Sequence, residues 1–292
     1  MTDQQTPNAA GAGARGAADE PFTVRARINY LGAMTEKPLF HAQDHGRDNI
    51  HYDPHEMAIV DGRTLTEPPS LDREGLQLVN HRTAIADLRD QEAVDRLYGE
   101  EIERLLMDLT GASKVVALKG ALMRFAPRSP DHMSRMNSQV ARFPHIDFTQ
   151  ATAPGLAESF FGAAAAPLKP GQRLVGYNVW RVASPPPQDI PLAVCDRRTV
   201  DRADLGEADG VYDKGEPPWP TLEAFLLRHN PAHRWIYFSN MQPDEALVFR
   251  AYGNEEQWIA GAPHCAFADP NCPPEAGPRI SVESRGYAIF DA

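Results

Sequence analysis

From Lys114 to Phe290 the chain breaks into short β-prone runs parted by proline- and glycine-bearing loops of uneven length: KVVALKGALMRF, FPHIDFT, QRLVGYNVWRV, LAVCD, RWIYFSNM, EALVFRAY, APHCAFAD and RISVESRGYAIF. Many short strands punctuated in this way build a sandwich or a barrel. The expected fold class is mainly β with added helices. Upstream, PFTVRARINYL and MAIVDGRTL read as one or two further strands flanking a histidine-rich polar loop. Within residues 71–111 the apolar positions Ala93, Leu97, Ile102, Leu105, Leu106 and Leu109 fall close to helical spacing and Gly111 supplies a stop, so one long helix is expected there. LAESFFGAAAAPL at 156–168 reads as a short helix after the HIDFT strand, and the whole of 149–171 either as a lid over a site or as a segment whose helix packs permanently on the barrel.

The first 21 residues mix alanine, glycine and polar residues and read as a disordered tail, leaving 22–292 as a single domain. With 29 Lys and Arg against 40 Asp and Glu, the formal charge is -11 at pH 7. Such a surface repels phosphate backbones and anionic lipid, so neither nucleic acid nor membrane is an expected partner. Three cysteines in a long chain, Cys195, Cys265 and Cys272, fit free thiols in a reduced cytoplasmic setting. No apolar run approaches the roughly 20 residues that span a bilayer. No feature sets an oligomeric state.

Two segments offer metal ligands. HAQDHGRDNIHYDPHE at 41–56 holds four histidines and four acidic residues, and RFPHIDFT at 142–149 holds one of each. His-x-Asp places two ligands on one side of a strand, and it occurs twice, as His51-Tyr52-Asp53 and His145-Ile146-Asp147. A facial triad of two histidines and one carboxylate needs a distant third ligand. His264 is followed fifteen residues later by Arg279 and then Ser281, whose alternation puts a guanidinium fork and a hydroxyl on one face, suited to the far end of a dicarboxylate whose keto-acid end chelates iron. The order His145, Asp147, His264, Arg279, Ser281 is complete, and Phe143, Ile146 and Phe148 are apolar flanks that bury its first part. His41, His45, His51 and His55 read as a solvated loop, with a zinc site there as the alternative. A zinc knuckle of His264 with Cys265 and Cys272 lacks a second cysteine pair.

The segments GLQLVNHRTAIADLRD, PHIDFT, GYNVWRV with PLAVCD, PHCAFADP and PRISVESR together resemble a bacterial and fungal oxidoreductase family that includes the CmcJ-like cephamycin hydroxylase component and the gibberellin desaturase, related to Fe(II)- and 2-oxoglutarate-dependent dioxygenases. The resemblance runs from about residue 22 to the end. It implies a double-stranded β-helix, the jelly roll of cupins, with His145, Asp147 and His264 as iron ligands and Arg279 with Ser281 on the C5 carboxylate of 2-oxoglutarate. It also implies that Asn178, Trp180 and Arg181 lie beside cosubstrate or substrate, and that Fe(II), 2-oxoglutarate and O₂ hydroxylate or desaturate a small, biosynthetic molecule, releasing succinate and CO₂. The PPPQDI loop after NVWRVAS departs from relatives, so substrate identity does not carry over. Two other readings stand beside it: a cupin-like metalloenzyme that does not use 2-oxoglutarate, and a non-catalytic β-sandwich that binds a ligand.

Overall fold

The computed structural model describes residues 20–132, 140–152, 155, 168–213, 216–254 and 261–292. The strands are β1 (Thr23–Leu31), β2 (Leu39–His41), β3 (Tyr52–Asp61), β4 (Leu76–Asn80), β5 (Lys114–Ala117), β6 (Leu122–Phe125), β7 (His145–Ile146), β8 (Arg173–Val182), β9 (Leu192–Cys195), β10 (Leu205–Val211), β11 (Thr221–Leu227), β12 (Trp235–Tyr237), β13 (Glu245–Gly253), β14 (His264–Ala266) and β15 (Ile280–Phe290), with one long helix, α1 (Gln91–Thr110), between β4 and β5. Among the described residues they form two sheets. One runs β1-β3-β12-β9-β14-β7-β11-β10-β2 and the other β4-β13-β8-β15-β5, with β6 pairing the free half of the β15 edge. Neighbours in space are far apart in sequence, which is the jelly-roll signature.

Alternation along the strands decides which side chains meet between the sheets. On β8 and β13, Trp180, Val182, Leu247 and Phe249 point inward and pack with Leu192, Val194 and Ile236 of the larger sheet. The intervening Tyr177 and Val179, with Ile280, Val282 and Ala288 of β15, point outward and are covered by α1. That helix is set by local chemistry: the Asp90 carboxylate accepts from the Ala93 amide at its start, and Gly111 takes the left-handed conformation at φ 67° at its end. Its buried stripe of Val94, Tyr98, Ile102 and Leu106 repeats every four residues. Gly286 lets it sit close, since a Cβ there would lie 2.5 Å from the Leu106 Cδ1. Leu106 is fully buried, so Leu106→Ala is expected to cost about 2–5 kcal/mol in urea unfolding.

The long helix is as expected, but it starts at Gln91, and β4 occupies 76–80 within the same segment. The expected polar loop at 41–56 is a loop only in part. His41 ends β2 and is buried, and β3 begins at Tyr52, so His55 stands on a strand with its ring stacked 3.6 Å from His229. Most of the expected helix at 156–168, and of the lid at 149–171, lies outside the described residues, as does nearly all of the N-terminal tail. All three cysteines are free thiols. No helix of the described residues is long and apolar enough to cross a membrane.

Candidate metal centre

His145 and His264 stand directly opposite each other where β7 pairs with β14, their ring centroids 4.3 Å apart. Asp147 lies just past the end of β7, two residues from His145 and on the same side. One ligand atom from each of the three falls within 4.8 Å of the others, and all three residues are buried. No other such group of histidine, cysteine or acidic side chains occurs among the described residues. Alternation sends Ile146 and Cys265 into the apolar cluster on the opposite face of the sheet, which removes Cys265 from any knuckle with His264.

Both imidazoles are oriented by backbone. His145 Nδ1 lies 3.1 Å from the Phe143 carbonyl and His264 Nδ1 3.3 Å from the Ala262 carbonyl. A carbonyl only accepts, so Nδ1 carries the proton and Nε2 turns its lone pair to the gap. Burial, reinforced by His264, pulls the His145 pKa down to about 3, which keeps the ring neutral at physiological pH, the form that binds metals. Burial alone would raise the Asp147 carboxyl, but the Arg285 guanidinium, with His264, His145 and the Asn178 amide, holds it well below the usual carboxylate range.

The Asp147 carboxylate is gripped at both oxygens. Asn178 donates to Oδ2 at 2.6 Å and Arg285 to Oδ1 at 3.0 Å. Arg285 also donates to the Asn178 carbonyl oxygen at 3.1 Å and to Glu283 at 2.8 Å, so clamp and carboxylate form one network. Asn178 and Arg285 are register partners across β8 and β15, which explains why residues 107 apart in sequence act together.

On the other side of His264, Arg279 is 1% exposed, and among the described residues its Nε and Nη2 have no hydrogen-bond partner; nor does the Oγ of Ser281, equally buried. The guanidinium rests over the Trp180 ring at 5.6 Å, and the PPPQDI loop holds its backbone, Asp189 accepting from the Arg279 amide at 2.8 Å. Burial, then the nearby Arg124, pull the Arg279 pKa down to about 9. Asp189 and Glu283 act on it only from beyond ion-pair distance, and a buried cation so poorly compensated is costly and could receive an anion. A narrow cavity of about 20 Å³ runs from Arg279 past Trp180 to His145 and His264.

The structure thus brings His145, Asp147 and His264 of the larger sheet opposite Asn178, Arg279 and Ser281 of the smaller one, with Trp180 beside them. It does not bring Arg181. That side chain points to the helix side, where it donates to Tyr98 Oη at 2.8 Å and the His81 carbonyl at 3.0 Å. Alternation along β8 already carries this answer, since residues 178 and 181 differ by an odd number. Arg285 shares the face of Ser281 as parity requires, but it holds Asp147. Arg124 escaped notice altogether; it is the register partner of Ser281 on β6 and lines the cavities on both sides of His145.

Two histidines and a carboxylate gathered between the sheets of a double-stranded β-helix form a group that could hold one metal ion, as in cupins and oxygenases. Residues 28–289 match the family model described as an oxidoreductase/YMDC permease-like domain, and the chain belongs to that family. It is 30% identical over 247 residues to the Fe(II)/2-oxoglutarate-dependent dioxygenase nvfI of Aspergillus novofumigatus, covering 81% of this chain and 84% of that one. It is 28% identical over 296 residues to the hydroxylase/desaturase efuI of Hormonema carpetanum, covering 94% and 98%. A solved structure of the iron and alpha-ketoglutarate-dependent endoperoxidase NvfI superposes with a TM-score of 0.77 over 92% of this chain and 99% of that one at 24% identity, a likeness that establishes the fold.

Proposed function

We propose that the protein is an Fe(II)- and 2-oxoglutarate-dependent dioxygenase that hydroxylates or desaturates a small molecule. The observation that carries this reading is the buried Arg279, whose unpartnered donors belong to a side chain that lines one narrow cavity with His145 and His264, with the unpartnered Ser281 hydroxyl two residues further along the same strand face. A cupin-like enzyme without a keto acid would need another anionic ligand to use that buried guanidinium, and a non-catalytic sandwich would leave the His145, Asp147 and His264 group without a role.

In this reading His145, Asp147 and His264 would hold Fe(II). When bound, the iron supplies the oxidative step, coupling O₂ and the keto acid to attack on an unactivated C–H bond with release of succinate and CO₂. The rest is done by the chain. Arg279 and Ser281 receive the C5 carboxylate, the guanidinium as a fork and the hydroxyl as a further donor. Their channel has room for little more than a water, so a five-carbon diacid enters only as the side chains along it give way. Asn178 and Arg285 keep Asp147 ionised and fixed in one rotamer, so the ligand set is formed before metal arrives.

Anaerobic addition of Fe(II) and then 2-oxoglutarate tests the reading: a weak visible charge-transfer band is expected, and succinate on admission of air. No band and no succinate would reject it. Arg285→Lys is expected to weaken Co(II) binding by roughly 10- to 100-fold, the usual effect of removing an outer partner of a ligand, because an ammonium cannot serve Asp147, Asn178 and Glu283 together. Cobalt absorbance titration reads this independently of turnover.

A further inference from the structure

The histidine-rich segment that opens the search for a metal returns in another capacity. A cavity of about 110 Å³ opens on the Asp147 side of the centre, away from Arg279, and its wall includes Phe40, Ala42, His45, Leu122, Phe143 and Tyr212 together with His145 and Asp147. The wall is an aromatic box: the Phe143 ring lies 5.4 Å from Phe40, 5.5 Å from His45 and 5.4 Å from His145. Phe143 thus ties the segment at 40–45 directly to the ligand strand.

The polar groups of this wall are engaged with one exception. Arg285 serves Asp147, Asn178 and Glu283, and the Tyr212 hydroxyl bonds Arg285. Arg124 and Gln43 have partners of their own. His45 is the exception. Its Nδ1 lies 3.0 Å from the Asp48 carboxylate, whose other oxygen accepts from the His41 amide at 2.7 Å, so the dyad is anchored to β2. Its Nε2 is buried and has no partner among the described residues. With Asp48 on the Nδ1 side, the tautomer that leaves Nε2 as an acceptor is the one this geometry favours, and because Nε2 is closed to water a ligand reaches it only by displacing what covers it.

We propose that this cavity is the prime-substrate pocket, and that it takes a ring-bearing, mostly apolar molecule whose hydroxyl donates to His45 Nε2. The proposal rests on the dioxygenase reading, since it is nearness to Asp147 and His145 that makes the cavity a substrate pocket. Substrate and cosubstrate then approach the metal from opposite sides, the cosubstrate past Trp180 and the substrate past Phe143. A hydroxyl held at His45 orients the ring, and the ring rather than the hydroxyl faces the centre. His45 is a binding and positioning residue here. It takes no part in the oxidative step.

The test uses the full-length chain, with and without Zn(II) and 2-oxoglutarate, and the probe 2-naphthol followed by its own fluorescence, with naphthalene as the same ring lacking the hydroxyl. Wild-type protein is expected to bind 2-naphthol roughly tenfold more tightly than naphthalene, the effect of one buried hydrogen bond. His45→Phe keeps a ring against Phe143 and is expected to bring that ratio to about one. Ala42→Trp fills the cavity and is expected to weaken both ligands at least about tenfold. Leu122→Trp fills it from the partly exposed opposite wall and decides the matter if Ala42→Trp melts early. Equal wild-type affinities, or a ratio that survives His45→Phe, would overturn the hydrogen bond. Undiminished binding in the filled variants would overturn the pocket. Cobalt binding to the wild-type chain is measured separately: its absence with an intact naphthol ratio removes the metal reading, whereas its presence with no naphthol binding removes the pocket alone.

Discussion

Asp147→Ala is expected to abolish the visible spectrum of bound Co(II) and all 2-oxoglutarate-dependent succinate formation, with His145→Ala doing the same. Each removes one of three protein ligands, so the loss should exceed the roughly 100-fold that follows from removing an outer partner alone. The fold should survive the Asp147 change. Glu283 stays 2.8 Å from Arg285, so the guanidinium is not left without a counter-charge, and Asn178 still has Arg285 on its carbonyl oxygen. His51→Ala and His55→Ala are the controls and should retain both signals, because neither side chain reaches the group formed by His145, Asp147 and His264. Loss of metal in the controls with retention in Asp147→Ala would return the centre to the N-terminal segment.

The contrast between those two histidine clusters shows how far the sequence could be read. His-x-Asp and Arg-x-Ser are statements about alternation, and alternation survives in almost any strand, so His145 with Asp147 and Arg279 with Ser281 could be paired from their spacing. Extending the same parity along RISVESR leads to Glu283 and Arg285, and along GYNVWRV it separates Asn178 from Arg181. Parity cannot say which strands become neighbours. That Asn178 meets Arg285, that His264 faces His145 and that Arg124 faces Ser281 are matters of register between segments more than a hundred residues apart, set by the apolar pattern of whole sheets. The histidine-rich segment failed for a different reason. Its charge suggested solvent, yet Asp48 and Asn49 accept from the backbone amides of His41 and Leu39, so its polar residues are partly used up in holding the turn while its aromatic Phe40 lines the cavity. Polar composition predicts a loop, but it does not predict which polar groups the loop consumes itself.

Arg279 should show opposite signs in two assays. For the cosubstrate, Arg279→Met removes a buried fork from a carboxylate, a loss of about 2–5 kcal/mol, so the concentration of 2-oxoglutarate needed for half-maximal turnover should rise roughly 30- to 5000-fold while Co(II) binding persists. Arg279→Lys should fall between, since it restores charge without the paired donors. For the ligand-free chain the expectation reverses. Arg279 is buried with Nε and Nη2 unpartnered, and its pKa, drawn down to about 9 by burial and then by Arg124, records that the surroundings oppose its charge. An apolar side chain of similar length, lying on Trp180 and with the backbone still bound by Asp189, relieves that cost. The melting temperature of ligand-free Arg279→Met should therefore equal or exceed that of wild type, and the gain should vanish when saturating 2-oxoglutarate stabilises wild type alone. A variant that melts lower and keeps its 2-oxoglutarate dependence would mean that Arg279 serves the core, and the cosubstrate cradle would have to be sought elsewhere, first at Arg124.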